Sequence, residues 1–284
     1  MKKRSTKEIK LQAKKALLGH VGTVLLGLLA VYGLNMLGTI LSTNLFSGTS
    51  PLDLVLSEVF MLVVSLIVGI ISAGFGYMLL NISRGKEFSL GDLGYFFKNQ
   101  PDRVIIAGFV LAVIQIVTAI PYYYVSFTTD PGLTVDSQIK WLSMTLGLLS
   151  VSTLLNFLIS LPFAMTYFLM ADDTELGGLQ ALKESARLMK GNLWRYVKLN
   201  LSFIPLLLLS VFTFYIALFW IMPYMEMSMV AFYRDLDGEL DYRLPGNEGF
   251  GSFHNWTNDS GDGYDTENND GYRNDSEDDY NSEA

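Results

Sequence analysis

The side chains able to do chemistry are few and poorly placed for it. The 284-residue chain has no cysteine, which excludes thiol nucleophiles and cysteine metal sites. Its two histidines, His20 and His254, lie near opposite ends of the chain, so neither a histidine-rich metal site nor a zincin motif can form. No G-x-S-x-G or phosphate-loop pattern is present. The adjacent Asp172 and Asp173 could in principle act as an acid/base pair, but neighbouring acids at the end of an apolar run are more often loop or helix-start residues. In the acidic C-terminal stretch, Thr266, Asn268, Asp270 and Glu277 fall at calcium-loop spacing. Thr at the first position breaks that pattern, and no flanking helices are expected. Neither catalytic chemistry nor a cofactor or metal is expected, and a nucleic-acid partner is not expected either. Three uncharged polar residues stand out in apolar surroundings: Asn35, Gln115 and Asn156. At mid-helix depth in a membrane such groups most often hydrogen-bond between helices, at about 1 kcal/mol each. The alternative is a polar substrate path.

The elements that must position these residues are apolar and long. Half of the chain is hydrophobic and 17% is charged. Five stretches lack Asp, Glu, Lys and Arg altogether: 16–52, 59–83, 104–129, 141–171 and 199–225. Each exceeds the roughly 20 residues a helix needs to cross about 30 Å of hydrocarbon. A chain this short cannot bury so many apolar helices on all sides in water. Backbone hydrogen bonding in lipid then demands helices, since no stretch alternates as barrel strands do. The sequence therefore predicts an all-α, polytopic transmembrane helical bundle. The fifth stretch can be one span or a tight pair at about 194–212 and 214–232. Six spans are favoured and five are possible. Basic residues cluster in alternate segments: seven precede the first apolar run, and Arg84, Lys86, Lys98 and Arg103 follow the second. Lys183, Arg187, Lys190, Arg195 and Lys198 follow the fourth, whereas the intervening segments 43–58 and 130–140 hold only Lys140. By the positive-inside rule the N-terminus is cytoplasmic.

Three short amphipathic segments precede apolar helix. In 7–17, Lys7, Lys10 and Lys14 oppose Ile9, Ala13 and Ala16. In 89–98, Ser89 and Asp92 form a capping-box pattern, with Leu90, Leu93 and Phe97 at helical spacing. In 175–190, Lys183, Arg187 and Lys190 oppose Leu179, Leu182, Ala186 and Met189. Such helices lie in the headgroup region and set the depth of the next span. Lys183, Arg187 and Lys190 are also candidate contacts for anionic lipids. Because each of the first two segments precedes two spans, the third is expected to do so as well.

Charge divides the chain sharply. From Arg234 on, 3 basic and 15 acidic residues give a net of -12, while the first 233 residues carry 17 basic and 13 acidic, a net of +4. A membrane domain over 1–236 and an acidic, low-complexity, disordered tail over 237–284 are expected, because the tail cannot bury enough apolar surface to fold. Its sequons at Asn255, Asn258 and Asn274 are of the kind that arise by chance in an Asn/Ser-rich stretch. The tail's charge suits a basic protein partner or the chain's own basic loops.

Several ordered motifs carry a resemblance. They are Gly76-Tyr77 through Arg84-Gly85 with Asp92-Leu93, Glu184 to Gly191, Leu199 to Ile204, Trp220 to Tyr224, and Ala231-Phe-Tyr-Arg-Asp-Leu236. Together they resemble a family of uncharacterised bacterial integral membrane proteins, the domain-of-unknown-function family numbered 975. The resemblance covers most of 5–236 and implies a multi-pass protein of the bacterial plasma membrane, with no established activity or site residues. Membrane lipids are then the first expected partners. The leading functional expectation is a non-enzymatic protein that organises or regulates membrane partners or lipids. A transporter or permease for a small solute or lipid is the alternative, which a polar cavity around Asn35, Gln115 and Asn156 would favour. Carboxylates clustered at one face would reopen an enzymatic reading.

Overall fold

The computed structural model describes residues 3–47 and 50–242. The acidic stretch from 243 on, with the expected disorder, calcium spacing and sequons, lies outside the described residues. Among the described residues there are helices and no strand. Five segments are long and apolar enough to cross a membrane: Val21–Leu45, Leu52–Arg84, Pro101–Ser126, Val135–Asp172 and Leu193–Phe212. Their outward apolar side chains, such as Leu37, Val63, Val117 and Leu154, remain open to the surroundings, as lipid-facing positions must. This is a multi-pass helical membrane protein.

Local sequence sets the helix ends. Helix α1 (Thr6–Leu17) starts at a capping box: the Ser5 amide donates to Glu8 at 2.7 Å and the Glu8 amide donates to the Ser5 hydroxyl at 3.3 Å. Helix α2 (Val21–Leu45) follows after a three-residue joint. Helix α3 (Pro51–Arg84) opens with Pro51 in its first turn and stops at Gly85, whose φ of +68° suits glycine. A 3₁₀ turn (Leu90–Gly94), opened by the Ser89–Asp92 pair, leads into the short α4 (Tyr95–Lys98) and then α5 (Pro101–Thr128). Helix α6 (Val135–Ser160) breaks at Pro162 into α7 (Thr166–Asp172), while Pro121 and Pro223 lie inside continuous helices. Helix α8 (Gly178–Met189) ends before Gly191, and α9 (Leu193–Leu201) and α10 (Ile204–Phe212) follow.

The fifth apolar run is a hairpin. After α10 the chain turns at 213–217, where Phe214 and Tyr215 hold φ of 49° and 65°, unusual for side-chain-bearing residues. Helix α11 (Leu218–Leu236) then returns, followed by α12 (Glu239–Tyr242). The return limb carries Glu226, Arg234 and Asp235 and is less apolar than the five spans. Arg195 at the start of α9 pairs with Asp235 at the end of α11, and so does Arg4 before α1. The hairpin therefore enters and leaves at one end, which also holds the N-terminal helix. We call this the basic end. The helical body also continues past Leu236, since Glu239 and Asp241 both pair back onto it.

The buried core sits at the basic end rather than along the spans. On α3 the occluded side chains run from Val68 to Ile82, while Leu52, Val59 and Ile67 nearer its start stay open. Ile9, Ala13 and Leu17 of α1 join Val24 and Leu28 of α2 in that core, together with Phe96, Met165, Met170, Ala181, Met189 and Phe232. All three predicted amphipathic segments form helical structure and contribute to it. One face, and one residue of another, differ from the sequence expectation. In the second segment Phe96 is fully buried, while Leu90 and Phe97 are exposed, because a 3₁₀ turn advances the chain 120° per residue and rotates the face. In α8 the faces are as expected, with Leu182 and Met189 buried and Lys183, Arg187 and Lys190 exposed, except that Leu179 is exposed and Ala181 and Ser185 also face inward. The Ser185 hydroxyl donates to the Pro162 carbonyl at 2.8 Å and accepts from the Met165 amide at 3.1 Å. It thereby satisfies backbone that the Pro162 break leaves open.

Two glycines let backbone meet backbone. A Cβ on Gly74 would stand 2.3 Å from the Leu93 carbonyl oxygen, and one on Gly178 would stand 2.1 Å from that of Arg103. We expect Gly74→Ala to lower stability by about 1–3 kcal/mol through overpacking. Gly147→Ala on α6, where nothing lies within 4 Å, should be neutral or gain up to about 1 kcal/mol in helix propensity. Thermal unfolding in detergent compares the two. Equal melting temperatures would show that the 3₁₀ turn does not dock tightly on α3.

Candidate functional site

The basic end is tied by arginines. Arg84, the last residue of α3, reaches two carboxylates. Its Nη1 and Nη2 bond Asp172 at the end of α7, with Nη2 to Oδ2 at 2.8 Å. Its Nε and Nη2 bond Glu239 of α12 at 3.0 and 2.9 Å. Tyr233 donates its hydroxyl to the same Asp172 at 2.8 Å. Arg234 donates to the Ser83 carbonyl and hydroxyl, each at 2.6 Å, and to Glu239 Oε1 at 2.7 Å. Glu239 therefore lies between two guanidinium groups and pins α12 to the ends of α3 and α11.

A second knot centres on Asp235, whose side chain is fully occluded. Arg4 bonds its Oδ1 at 3.1 Å and also bonds Asp241 at 2.8 Å and the Leu240 carbonyl at 2.7 Å. Arg195 bonds its Oδ2 and the Arg4 carbonyl. A carboxylate this buried is tolerable only with such partners, since isolated burial of a charge costs far more than one pair returns. Close by, Lys10 donates to the Ser202 carbonyl at 2.9 Å and lies 3.7 Å over the Phe203 ring, and burial lowers its pKa. Arg103, the third anchor, is 3% exposed and donates to the carbonyls of Asp173 and Leu176. It thereby fixes the 173–177 connection to the start of α5.

The polar residues picked out by sequence do not converge. Asn156 Nδ2 donates to Thr118 on α5 at 3.3 Å, an interhelical contact. The side chains of Asn35 and Gln115 lie on exposed helix faces, whereas Asn156 is half-buried. Lys183, Arg187 and Lys190 share the exposed stripe of α8, with Arg187 also 3.6 Å from Glu184. Carboxylates do cluster at one face, but Asp172, Asp235, Glu239 and Asp241 each accept from an arginine. No group of three or more metal-ligating side chains occurs among the described residues. Of the Asp172–Asp173 pair, Asp172 is the receiver for Arg84, while Asp173 Oδ1 accepts the Glu175 amide as a loop residue does. Sequence reading treated Arg4, Arg84 and Arg195 as orientation signals and did not single out Asp235 or Glu239. The motif stretches Gly76–Gly85 and Ala231–Leu236 were the available signal, since Arg84, Tyr233, Arg234 and Asp235 lie in them, while their partners Arg4, Asp172, Arg195, Glu239 and Asp241 lie outside both.

Long apolar helices with a buried core at one end, closed there by arginine–carboxylate ties, define a multi-pass membrane domain. The model of the family described as Protein of unknown function (DUF975) matches residues 1–239, so the chain belongs to that family. The match ends at the residue that closes the lattice. Comparison with curated proteins and with solved structures gave no match.

Burial alone would raise the Glu239 carboxyl. Hydrogen bonds from Arg84 and Arg234, and their charges, outweigh it and hold its pKa below the ordinary carboxylate value. A depressed carboxylate stabilises the folded state above its unfolded pKa, and that contribution is lost as pH falls through the folded value. We expect amide protection of residues 237–242 to hold at neutral pH and to fall below about pH 4. In Glu239→Gln it should already be weak at neutral pH and should respond less to acid. Hydrogen exchange across that range reads both, and identical profiles for the two proteins would refute a clamp at Glu239.

Proposed function

We propose that this is a non-enzymatic plasma-membrane protein that organises or regulates lipids or partners at the cytoplasmic face, with its basic end cytoplasmic. The division between arginine and lysine carries this reading. Arg4, Arg84, Arg103, Arg195 and Arg234 turn inward onto carboxylates and carbonyls. Lys7, Lys14, Lys15, Lys86, Lys98, Lys183, Lys190 and Lys198 remain exposed around them. A guanidinium suits fixed, bidentate, partly buried pairing, whereas an ammonium remains a hydrated point charge. A rim of such charges beside apolar helix attracts anionic headgroups at roughly 1 kcal/mol per residue near the surface. The exposure of Asn35 and Gln115 on their helix faces supports this reading over a permease, and the arginine pairing of the carboxylates supports it over catalysis.

Asp241 is held at that end by its pair with Arg4, and the sequence beyond Tyr242 is acidic. Its net charge suits a basic protein partner or the lysine rim itself. Orientation is tested with single cysteines in this cysteine-free chain. Asp237→Cys and Lys3→Cys should resist an impermeant maleimide in intact cells and react after lysis, whereas Leu133→Cys at the far end should react in both. Labelling of Asp237→Cys in intact cells would overturn the cytoplasmic assignment.

For the lipid reading, the protein is reconstituted in mixed phosphatidylcholine and phosphatidylglycerol, extracted with its annulus, and its lipids quantified. Phosphatidylglycerol should be enriched, and the combined Lys183→Gln, Arg187→Gln, Lys190→Gln variant should lose part of that enrichment. Unchanged lipid composition in the variant would remove α8 from this role.

A further inference from the structure

Two clefts flank Arg84 at the basic end. The first, about 400 Å³, is lined by Lys86 and Arg84 but also by the carboxylates of Glu87 and Asp172, so an anion there meets repulsion as well as attraction. The second, about 440 Å³, opens where α1 turns into α2, and its charged lining is of one sign. Lys15, Arg84 and Arg234 face it together with the His20 imidazole, and no carboxylate lines it among the described residues. Its volume lies within the roughly 300–1,000 Å³ typical of small-ligand sites.

We propose that this second cleft binds a phosphate ester, with Lys15 and His20 as the ligand-contacting groups and Arg84 and Arg234 as its fixed cationic wall.

The wall is pre-organised. Arg84 and Arg234 are held from behind by Asp172, Glu239 and Ser83, so their guanidinium groups are fixed in place, and because those carboxylates offset much of their charge, Lys15 and His20 are left to meet the anion. Lys15 has no carboxylate within ion-pair distance among the described residues, and the His20 ring makes only an edge contact with Phe88, centroids 5.0 Å apart. These two groups are therefore available for charge-assisted or neutral hydrogen bonds to phosphate oxygens. The rim adds a preference. Leu18, 68% exposed, and Leu240 line the same cleft, and α2, the first span, begins immediately beyond it. A phosphate carrying a glycerol ester and an acyl chain could place its anion on Lys15 and its apolar part along Leu18. Free phosphate or a soluble phosphate monoester would use the same polar groups without that contact. This site deepens the lipid reading but uses none of the α8 residues on which that reading is tested.

The full chain is examined in two arms. In one, detergent-purified protein is titrated with inorganic phosphate and with glycerol phosphate, followed by ³¹P NMR. In the other, protein in phosphatidylcholine nanodiscs doped with phosphatidylglycerol is released and the anionic lipid retained per chain is counted by native mass spectrometry. We expect saturable binding of one phosphate ester per chain. Binding in the nanodisc arm alone would identify a lipid headgroup, and binding in the titration would identify a soluble phosphate. The paired Lys15→Gln, His20→Gln variant should weaken it at least about tenfold. Gln12→Glu, which places a carboxylate in the cleft while keeping Lys15 and His20, should do the same. Lys15 and Gln12 are exposed and His20 is half-buried, and an unchanged melting temperature confirms that these variants fold. The triple α8 variant should retain the one tight ligand. No stoichiometric binding in either arm overturns the proposal, as does binding unchanged by both cleft variants. Loss of the ligand in the α8 variant alone would overturn the cleft while leaving the lipid rim standing.

Discussion

Asp235 sets a condition that much of the basic end must meet. Its carboxylate is wholly removed from solvent, and a lone ion in such a place would cost several kcal/mol. Two arginines from distant parts of the chain must arrive together, one ahead of α1 and one at the start of α9. Their arrival brings the N-terminus to the end of α11 and closes the last hairpin. The Arg4 carbonyl accepts from Arg195 as well, so the two guanidinium groups are coupled through backbone and not only through the shared carboxylate. The order of α1, α9 and α11 at this end follows from that requirement.

Glu239 applies the same condition one turn further along. It receives Arg84 and Arg234, and Arg84 in turn holds Asp172. A chain of alternating charges thus links the ends of α3, α7, α11 and α12. Such a lattice does not add much net stability, since desolvation offsets most of the Coulomb gain. Its contribution is geometric, because a misplaced helix end would strand a charge. The far halves of the spans are joined more sparsely, by pairs such as Ser42–Ser57 and Tyr123–Glu58, so most of the fixing of helix ends falls to this lattice.

Helix α3 makes the division of solvents visible. Its 34 residues extend about 51 Å at 1.5 Å per residue, well beyond about 30 Å of hydrocarbon. The first half keeps apolar side chains open for lipid. The second half is enclosed by α1, α2, the 3₁₀ turn, α7 and α11. Close backbone approach at Gly74 lets the 3₁₀ turn lie against that enclosed half. Sequence reading found the spans readily, because composition and length decide them. It also found the three amphipathic segments, because charge and apolar side chains alternate there at helical spacing. It misjudged the buried side of the second segment and the place of Leu179 in the third, since a local 3₁₀ advance at Leu90–Gly94 and the inward use of Ser185 depend on neighbours it could not see. The return of α11 was open in sequence because Glu226 and Arg234 depress its apolar character. Only the distant pairings settle it.

The lattice was illegible for a more general reason. Arg4 meets Asp235 across 231 positions and Arg84 meets Glu239 across 155, and no local pattern signals such pairs. Sequence nevertheless contains a usable distinction in retrospect, namely which cations are arginine. In a positive-inside count arginine and lysine are equivalent. In the folded protein they separate. Arginines at 4, 84, 103, 195 and 234 are consumed in holding helix ends, while lysines remain on the rim, with Lys10 turned onto Phe203 as an exception and Arg187 as another. Orientation and architecture are thus written in the same residues but by different chemistry. The net charge of the basic end overstates what is available to a ligand: most of the arginine charge is already answered from within, and the lysines, Lys15 beside the α1–α2 joint among them, are what the membrane face can still offer.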